Sequence, residues 1–194
     1  MNFLAHAALV RAGSDDFLYG NLIADGIKGP DLSGWREDVA AGVQHHRRVD
    51  AFVDAHPAVL AARRRAPPAQ RRYAAIALDI LWDHFLLQEL EVKERDVLIQ
   101  RCYRVLERER APARLEQMIP ALVREDWLHR YSERDFTYRA IAGIGSRLSG
   151  PNRLAELVPH LRQDHPRLAE DFQQLWGDVR QVLEVNRAPT GYSR

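Results

Sequence analysis

Ten residues constrain this chain more than any others: Ala77-Leu78-Asp79-Ile80-Leu81-Trp82-Asp83-His84-Phe85-Leu86. Seven are apolar and neither Gly nor Pro interrupts them, so the run reads as a helix. Its apolar side chains fall nearly all the way round, which marks a helix buried in a core rather than lying on a surface. Asp79 and Asp83 stand four apart, so their carboxylates stack on one face. Two like charges held close on a buried helix repel each other and lose hydration. A cation resolves both problems. It can be a metal ion or an Arg from another helix, and this chain is rich in Arg.

Elsewhere sustained period-2 alternation is missing, and no Asn-Gly signal joins two β-branched runs. Helical spacing recurs instead. We expect helices over 2–12, from the turn at Gly13–Asp16 to about Ile27, over 37–55, 57–65 and 69–90, and near 94–110, 112–124, 133–148, 152–163 and 166–186. Asn2 is a candidate N-cap for the first, and Pro57 suits a first helical turn. Pro67-Pro68, Pro112, Pro120, Gly150-Pro151, Pro159 and Pro166 punctuate the rest. The expected fold is all-α: a single-domain helical bundle of about eight to ten helices over 1–186, with 187–194 a frayed tail. A chain of 194 residues suits one domain with a substantial core.

Cys102 is the single cysteine, which excludes an intrachain disulfide and any multi-Cys zinc site. The apolar N-terminus lacks a basic flank, carries His6, and is shorter than the ~20 residues a membrane span needs. It reads as a first helix, and the protein as cytoplasmic with no membrane partner. The four Trp are scattered and form no stacking platform for bases, so no nucleic-acid partner is expected. Net charge is only +1, but Arg63-Arg64-Arg65 and Arg71-Arg72 bunch in a patch that suits a phosphate or an acidic protein surface.

A second cluster lies upstream. His46 and Asp50 are four apart on one helix and face the same way, and Asp25 ends another helix just before Gly26. With Asp79 and Asp83 they offer one imidazole and several carboxylates from three helices. Such a set suits Mn²⁺, Mg²⁺, Fe or Zn²⁺, and a carboxylate majority favours the harder ions. An ion so held can lower the pKa of a water and polarise a phosphoryl oxygen. No HExxH or Glu-x-x-His pattern occurs. Asp83-His84 reverses the His-Asp doublet of common helical metal phosphohydrolases. His84 points about 100° away from Asp83. It reads equally as a group beside the site, a proton donor or a satisfied core histidine. His45 lies about 100° round from His46, and its plainer reading is an exposed polar residue. His6, alone on an apolar helix, reads first as a core histidine. Arg47 and Arg48 suit either a phosphate or the carboxylates. His56, His129, His160 and His165 read as structural.

Four segments together resemble the acyl carrier protein phosphodiesterase family: Asn2-Phe3-Leu4-Ala5-His6, Gly20-Asn21-Leu22-Ile23-Ala24-Asp25, His46-Arg47-Arg48-Val49-Asp50, and Leu78 through Leu86. Trp127-Leu128-x-Arg130-Tyr131 adds to it. The resemblance implies an all-α, HD-domain-like, divergent member of the HD phosphatase/phosphodiesterase group. It implies dependence on a divalent metal, Mn²⁺ first, with Mg²⁺, Fe²⁺ or Co²⁺ as alternatives. The reaction it implies hydrolyses the phosphodiester between 4′-phosphopantetheine and a serine of holo-acyl carrier protein. Carried over, it puts the metal ligands at Asp25, His46, Asp50, Asp79 and Asp83, the catalytic candidates at Asp79, Asp83, His84, Arg47 and His6, and Asn21 close by. Arg63, Arg64, Arg65, Arg71 and Arg72 would then dock the acidic carrier protein. Two alternatives remain open at this point: another HD-type metal phosphohydrolase acting on a nucleotide or small phosphodiester, and a non-catalytic helical adaptor whose Asp pairs are neutralised by Arg.

Overall fold

A computed structural model describes residues 1–145 and 154–185. Among these residues the protein is all-α, as the sequence leads one to expect. The helices are Phe3–Leu9 (α1), Asp15–Ile23 (α2), Glu37–Ala55 (α3), Pro57–Arg65 (α4), Ala74–Glu89 (α5), Val92–Glu107 (α6), Met118–Arg124 (α7), Trp127–Arg130 (α8), Arg134–Gly145 (α9), Leu154–Gln163 (α10) and His165–Leu183 (α11). Short 3₁₀ turns at Ala24–Gly26 and Arg71–Tyr73 follow α2 and precede α5. The tail expected from residue 187, and the ends of two helices expected to meet near Gly150-Pro151, lie outside the described residues. None of the described helices is long and apolar enough to cross a membrane.

Helix α5 occupies the centre. From Ala77 to Leu87 every residue but Asp79 is buried, and Trp82, Leu81 and Leu86 are fully so. Helices α1, α9, α10 and α11 pack around it. Trp82 stacks on Phe172 of α11 with ring centroids 5.8 Å apart, and Phe85 lies 5.9 Å from the same ring. Truncating a large aromatic in such a place costs about 3–5 kcal/mol. The all-round apolar pattern is thus explained by neighbours on every side.

Three local departures from expectation have physical causes. Asn2 precedes α1 but its side chain makes no cap; the carboxylate of Asp83 does, accepting from Leu4 N–H at 3.0 Å and Ala5 N–H at 2.9 Å. The segment 112–117 is not helix, and 113–117 form turns; Leu115 and Pro112 from this stretch pack against Gly26. Helix α8 adds an element: Asp126 enters it with φ 53, held by the Tyr103 hydroxyl, which donates to Asp126 Oδ1 at 2.8 Å and accepts from Leu128 N–H at 2.9 Å.

The packing that matters most for the site is α2 on α3. A Cβ built on Gly20 would stand 2.1 Å from Val39 O, and one on Gly42 would stand 2.2 Å from Phe17 O. Only bare backbone fits at both crossings, so the two helices run closer than side chains allow. That approach brings the end of α2 onto the face of α3 that carries His46.

Candidate metal centre

His46 and Asp50 lie one turn apart on α3, and His6 comes from α1. The Asp83 carboxylate, itself fully buried on α5, grips the first turn of α1 and so fixes where His6 falls. The His6 and His46 rings stack, with centroids 3.8 Å apart and planes 13° from parallel. Asp50 receives both rings: His6 Nε2 is 3.1 Å from Oδ1, and His46 Nε2 is 3.0 Å from Oδ2. Ligand atoms of His6, His46 and Asp50 all fall within 4.8 Å of one another. Asp25, in the 3₁₀ turn after α2, reaches within 3.4 Å of His46 Nε2 from the solvent side. Asp79 is linked to Asp50 through the chain's amino group. Its Oδ1 accepts from the Met1 ammonium at 2.9 Å, and that group also donates to Asp50 Oδ1 at 3.2 Å.

The tautomer of His46 follows from its other nitrogen. Nδ1 donates to the backbone carbonyl of Asn21 at 2.9 Å, so Nε2 is left facing the carboxylates of Asp25 and Asp50. An imidazole nitrogen surrounded by oxygens needs an electrophile there, either a proton or a metal ion. Nε2 is buried and makes no well-aligned hydrogen bond. The electrostatics agree. Burial alone would lower the pKa of His46, but Asp25 and Asp50 lift it to about 9. Burial, with the charge on His46 adding to it, pushes His6 down to about 3. Burial pushes Asp50 upward, yet its bonds with His46 and His6 and the nearby Met1 ammonium hold it well below the carboxylate range. Two stacked imidazoles and a carboxylate, with a second carboxylate open to solvent, therefore fit a divalent ion by donor chemistry.

The residues singled out from sequence divide in three. His46, Asp50, Asp25 and His6 converge, and His6 is nearer the centre than a core histidine would be. Asp79 stands at the edge. Asp83 does not join the cluster, because its two oxygens are taken by backbone amides; burial pushes its pKa up to about 7 against the pull of those N–H groups. His84 is also elsewhere, with Nδ1 donating to Tyr131 O at 2.7 Å and its ring 5.5 Å from that of His165. Arg47 donates to Ile27 O at 3.2 Å, just past the Asp25 turn.

The arginine patch is only partly available. Arg65 donates to Asp164 at 2.7 Å and also pairs with Asp171. Arg71 donates to the carbonyls of Arg64 at 3.0 Å and Ala66 at 3.4 Å, closing the end of α4. Arg63 lies 3.8 Å from Asp54, one turn beyond Asp50, and Arg72 lies over the Tyr73 ring. Arg64, Arg71 and Arg72 are exposed. The contacts found at Asp79 and Asp83 are an ammonium and backbone amides, not the arginines an adaptor would need. His45, for which the sequence leaves an exposed polar position as one of two open readings, is buried at 3% exposure between α2 and α11. Helix geometry turns His45 about 100° from His46, and a helix covered on several sides leaves no free face in that direction.

Comparison with known proteins adds a separate line. The family model described as acyl carrier protein phosphodiesterase matches residues 1–179. A protein of that name from Klebsiella pneumoniae subsp. pneumoniae is 33% identical over 190 residues, covering 95% of this chain and 98% of its own length. One from Photorhabdus laumondii subsp. laumondii is 35% identical over 190 residues, covering 92% of this chain and 87% of its own. One from Escherichia coli is 36% identical over 156 residues, covering 76% and 79%. No solved structure matches the chain.

Proposed function

The chain belongs to the acyl carrier protein phosphodiesterase family, and from that premise we propose that it hydrolyses the phosphodiester of holo-acyl carrier protein, releasing 4′-phosphopantetheine and leaving the apo-protein. The observation that supports a metal-dependent route is the convergence of His6, His46 and Asp50 within 4.8 Å. A cluster of carboxylates repels an anionic phosphodiester unless a cation stands between them. His6, His46 and Asp50 would hold that cation, with Asp25 or Asp79 completing the set; Mn²⁺ is the ion we favour. Bound there, a divalent ion would supply positive charge to the phosphoryl oxygens and acidify a water.

The chain's own groups do the rest. Asn21 C=O keeps the proton of His46 on Nδ1 and its Nε2 lone pair turned inward. Asp25 is the exposed carboxylate beside His46; with Asp79 as the further ligand, it is free to accept a proton from the attacking water. The Arg47 guanidinium at the same rim suits a phosphate oxygen. Asp83 acts at one remove, by holding the helix that carries His6. His84 has no place in this scheme. The finer kinship we propose is with HD-type phosphohydrolases, on the ground that His and Asp ligands project from helices.

The partner reading follows from the family name and from the exposed arginines near α4. Binding energy from a protein surface can be spent on the reaction, so a dedicated enzyme prefers its full substrate. With Mn²⁺ present, kcat/KM for holo-acyl carrier protein should exceed that for bis-p-nitrophenyl phosphate by at least about 100-fold. Equal values would point to a generic phosphodiesterase instead.

A further inference from the structure

We propose that His45 and the side chain of Asn21 are positioning residues for the His46 ligand, with His45 acting through Asn21 rather than through its contact with the end of the last helix. The inference rests on the metal reading above. The Asn21 carbonyl that receives His46 Nδ1–H lies in the last turn of α2, where carbonyls begin to be free for outside donors. The Gly20–Gly42 crossing sets how closely that turn approaches α3. The Asn21 side chain braces it: its Nδ2 donates to Phe17 O, one turn back on α2, at 3.0 Å, and its Oδ1 lies 3.0 Å from His45 Nδ1 on α3. The other nitrogen of His45, Nε2, is 2.9 Å from the carbonyl of Leu183, the final residue of α11. Two residues on, Val185 N–H donates to Leu9 O at 2.8 Å, so the end of α11 is anchored to α1 as well.

Asn21, His45 and His46 are 1%, 3% and 5% exposed. The two oxygens that face His45, Asn21 Oδ1 and Leu183 O, can only accept, and a neutral His45 ring has one N–H to give; placed on Nδ1 it goes to Asn21 Oδ1, where in so dry a place no water can replace it. His45 does not reach the cluster. It acts only through Asn21, and its effect is on the aim of the His46 ring. Losing it should loosen metal binding and slow turnover while leaving the surface that meets the carrier protein unchanged.

Three substitutions separate the two contacts. His45→Asn keeps an amide near the Nδ1 position, facing Asn21. His45→Gln keeps one near the Nε2 position, facing Leu183. His45→Phe keeps neither. Mn²⁺ binding isotherms, thermal unfolding in EDTA, and kcat and KM for holo-acyl carrier protein are read for each. The proposal expects His45→Phe to weaken Mn²⁺ binding and lower kcat by about tenfold, with KM changed less than about twofold. It expects His45→Asn to recover both, and His45→Gln to recover neither while unfolding in EDTA close to wild type. If His45→Phe fails to fold, the comparison is between Asn and Gln. Equal Mn²⁺ affinity in those two, or wild-type affinity in His45→Phe, overturns the proposal. A wild-type protein that binds no Mn²⁺ overturns the metal reading itself, a failure visible before any substitution is made.

Discussion

A proton and a metal ion compete for Nε2 of His46, and the competition has a measurable sign. The neighbouring carboxylates raise the pKa of that ring to about 9 in the metal-free protein. Its proton therefore stabilises the metal-free fold fully below pH 6.5, and that contribution is lost as pH rises through about 9. Metal binding must displace the same proton. Mn²⁺ affinity should thus climb about tenfold per pH unit between 7 and 9 and then level off, which a pH series of binding isotherms checks. A flat profile would mean that His46 is not a ligand. Asp83 gives a second prediction at this scale. Asp83→Ala strands two buried backbone amides, each worth about 1–3 kcal/mol, and should lower stability by several kcal/mol in a denaturant titration. An exchange that costs less than about 1 kcal/mol would show that α1 does not depend on it. These residues also mark how far the sequence could be read. His46 and Asp50 were legible because spacing on one helix decides which side chains meet. Asp83 was not, because its partners, Leu4 and Ala5, are far away in sequence and contribute only backbone.

The elements show the same division. The bounds of α3 and α4 follow directly from periodicity and from Pro57, since both ends are set locally. The split between the Arg71–Tyr73 turn and α5 does not, and α8 rests on a Tyr103 contact with Asp126 that no local pattern announces. The meeting of α2 and α3 lies between these cases. Gly20 and Gly42 in otherwise helical runs hint at close approach, but only the fold shows that they face each other's backbone. Gly42→Ala should force the pair apart and cost about 1–3 kcal/mol. Because Asn21 O rides on α2 and His46 on α3, the same change should weaken Mn²⁺ binding more than Trp82→Phe, which disturbs the core away from that crossing. Equal effects on metal binding would contradict the role given to the crossing.

At the scale of the molecule, helix α11 joins several elements of the bundle. It touches α3, α4 and α5, and its acidic residues hold Arg65 inward. The five arginines that sequence groups as a docking patch are thus not equivalent: Arg65 and Arg71 serve the fold, and Arg64 and Arg72 are the better candidates for a carrier protein. Arg64→Glu with Arg72→Glu should raise KM for holo-acyl carrier protein severalfold, flatten its dependence on salt, and leave kcat near wild type. An unchanged KM would remove this surface from the account. The central claim, that His6, His46 and Asp50 form a metal centre which cleaves the carrier-protein phosphodiester, is tested most directly by mass. Holo-acyl carrier protein is incubated with wild type, with wild type in EDTA, and with Asp50→Asn, and the product is weighed. The account predicts conversion to the apo mass by wild type with Mn²⁺ only, and a folded but inactive Asp50→Asn. Conversion in EDTA, or by Asp50→Asn at the wild-type rate, would contradict it.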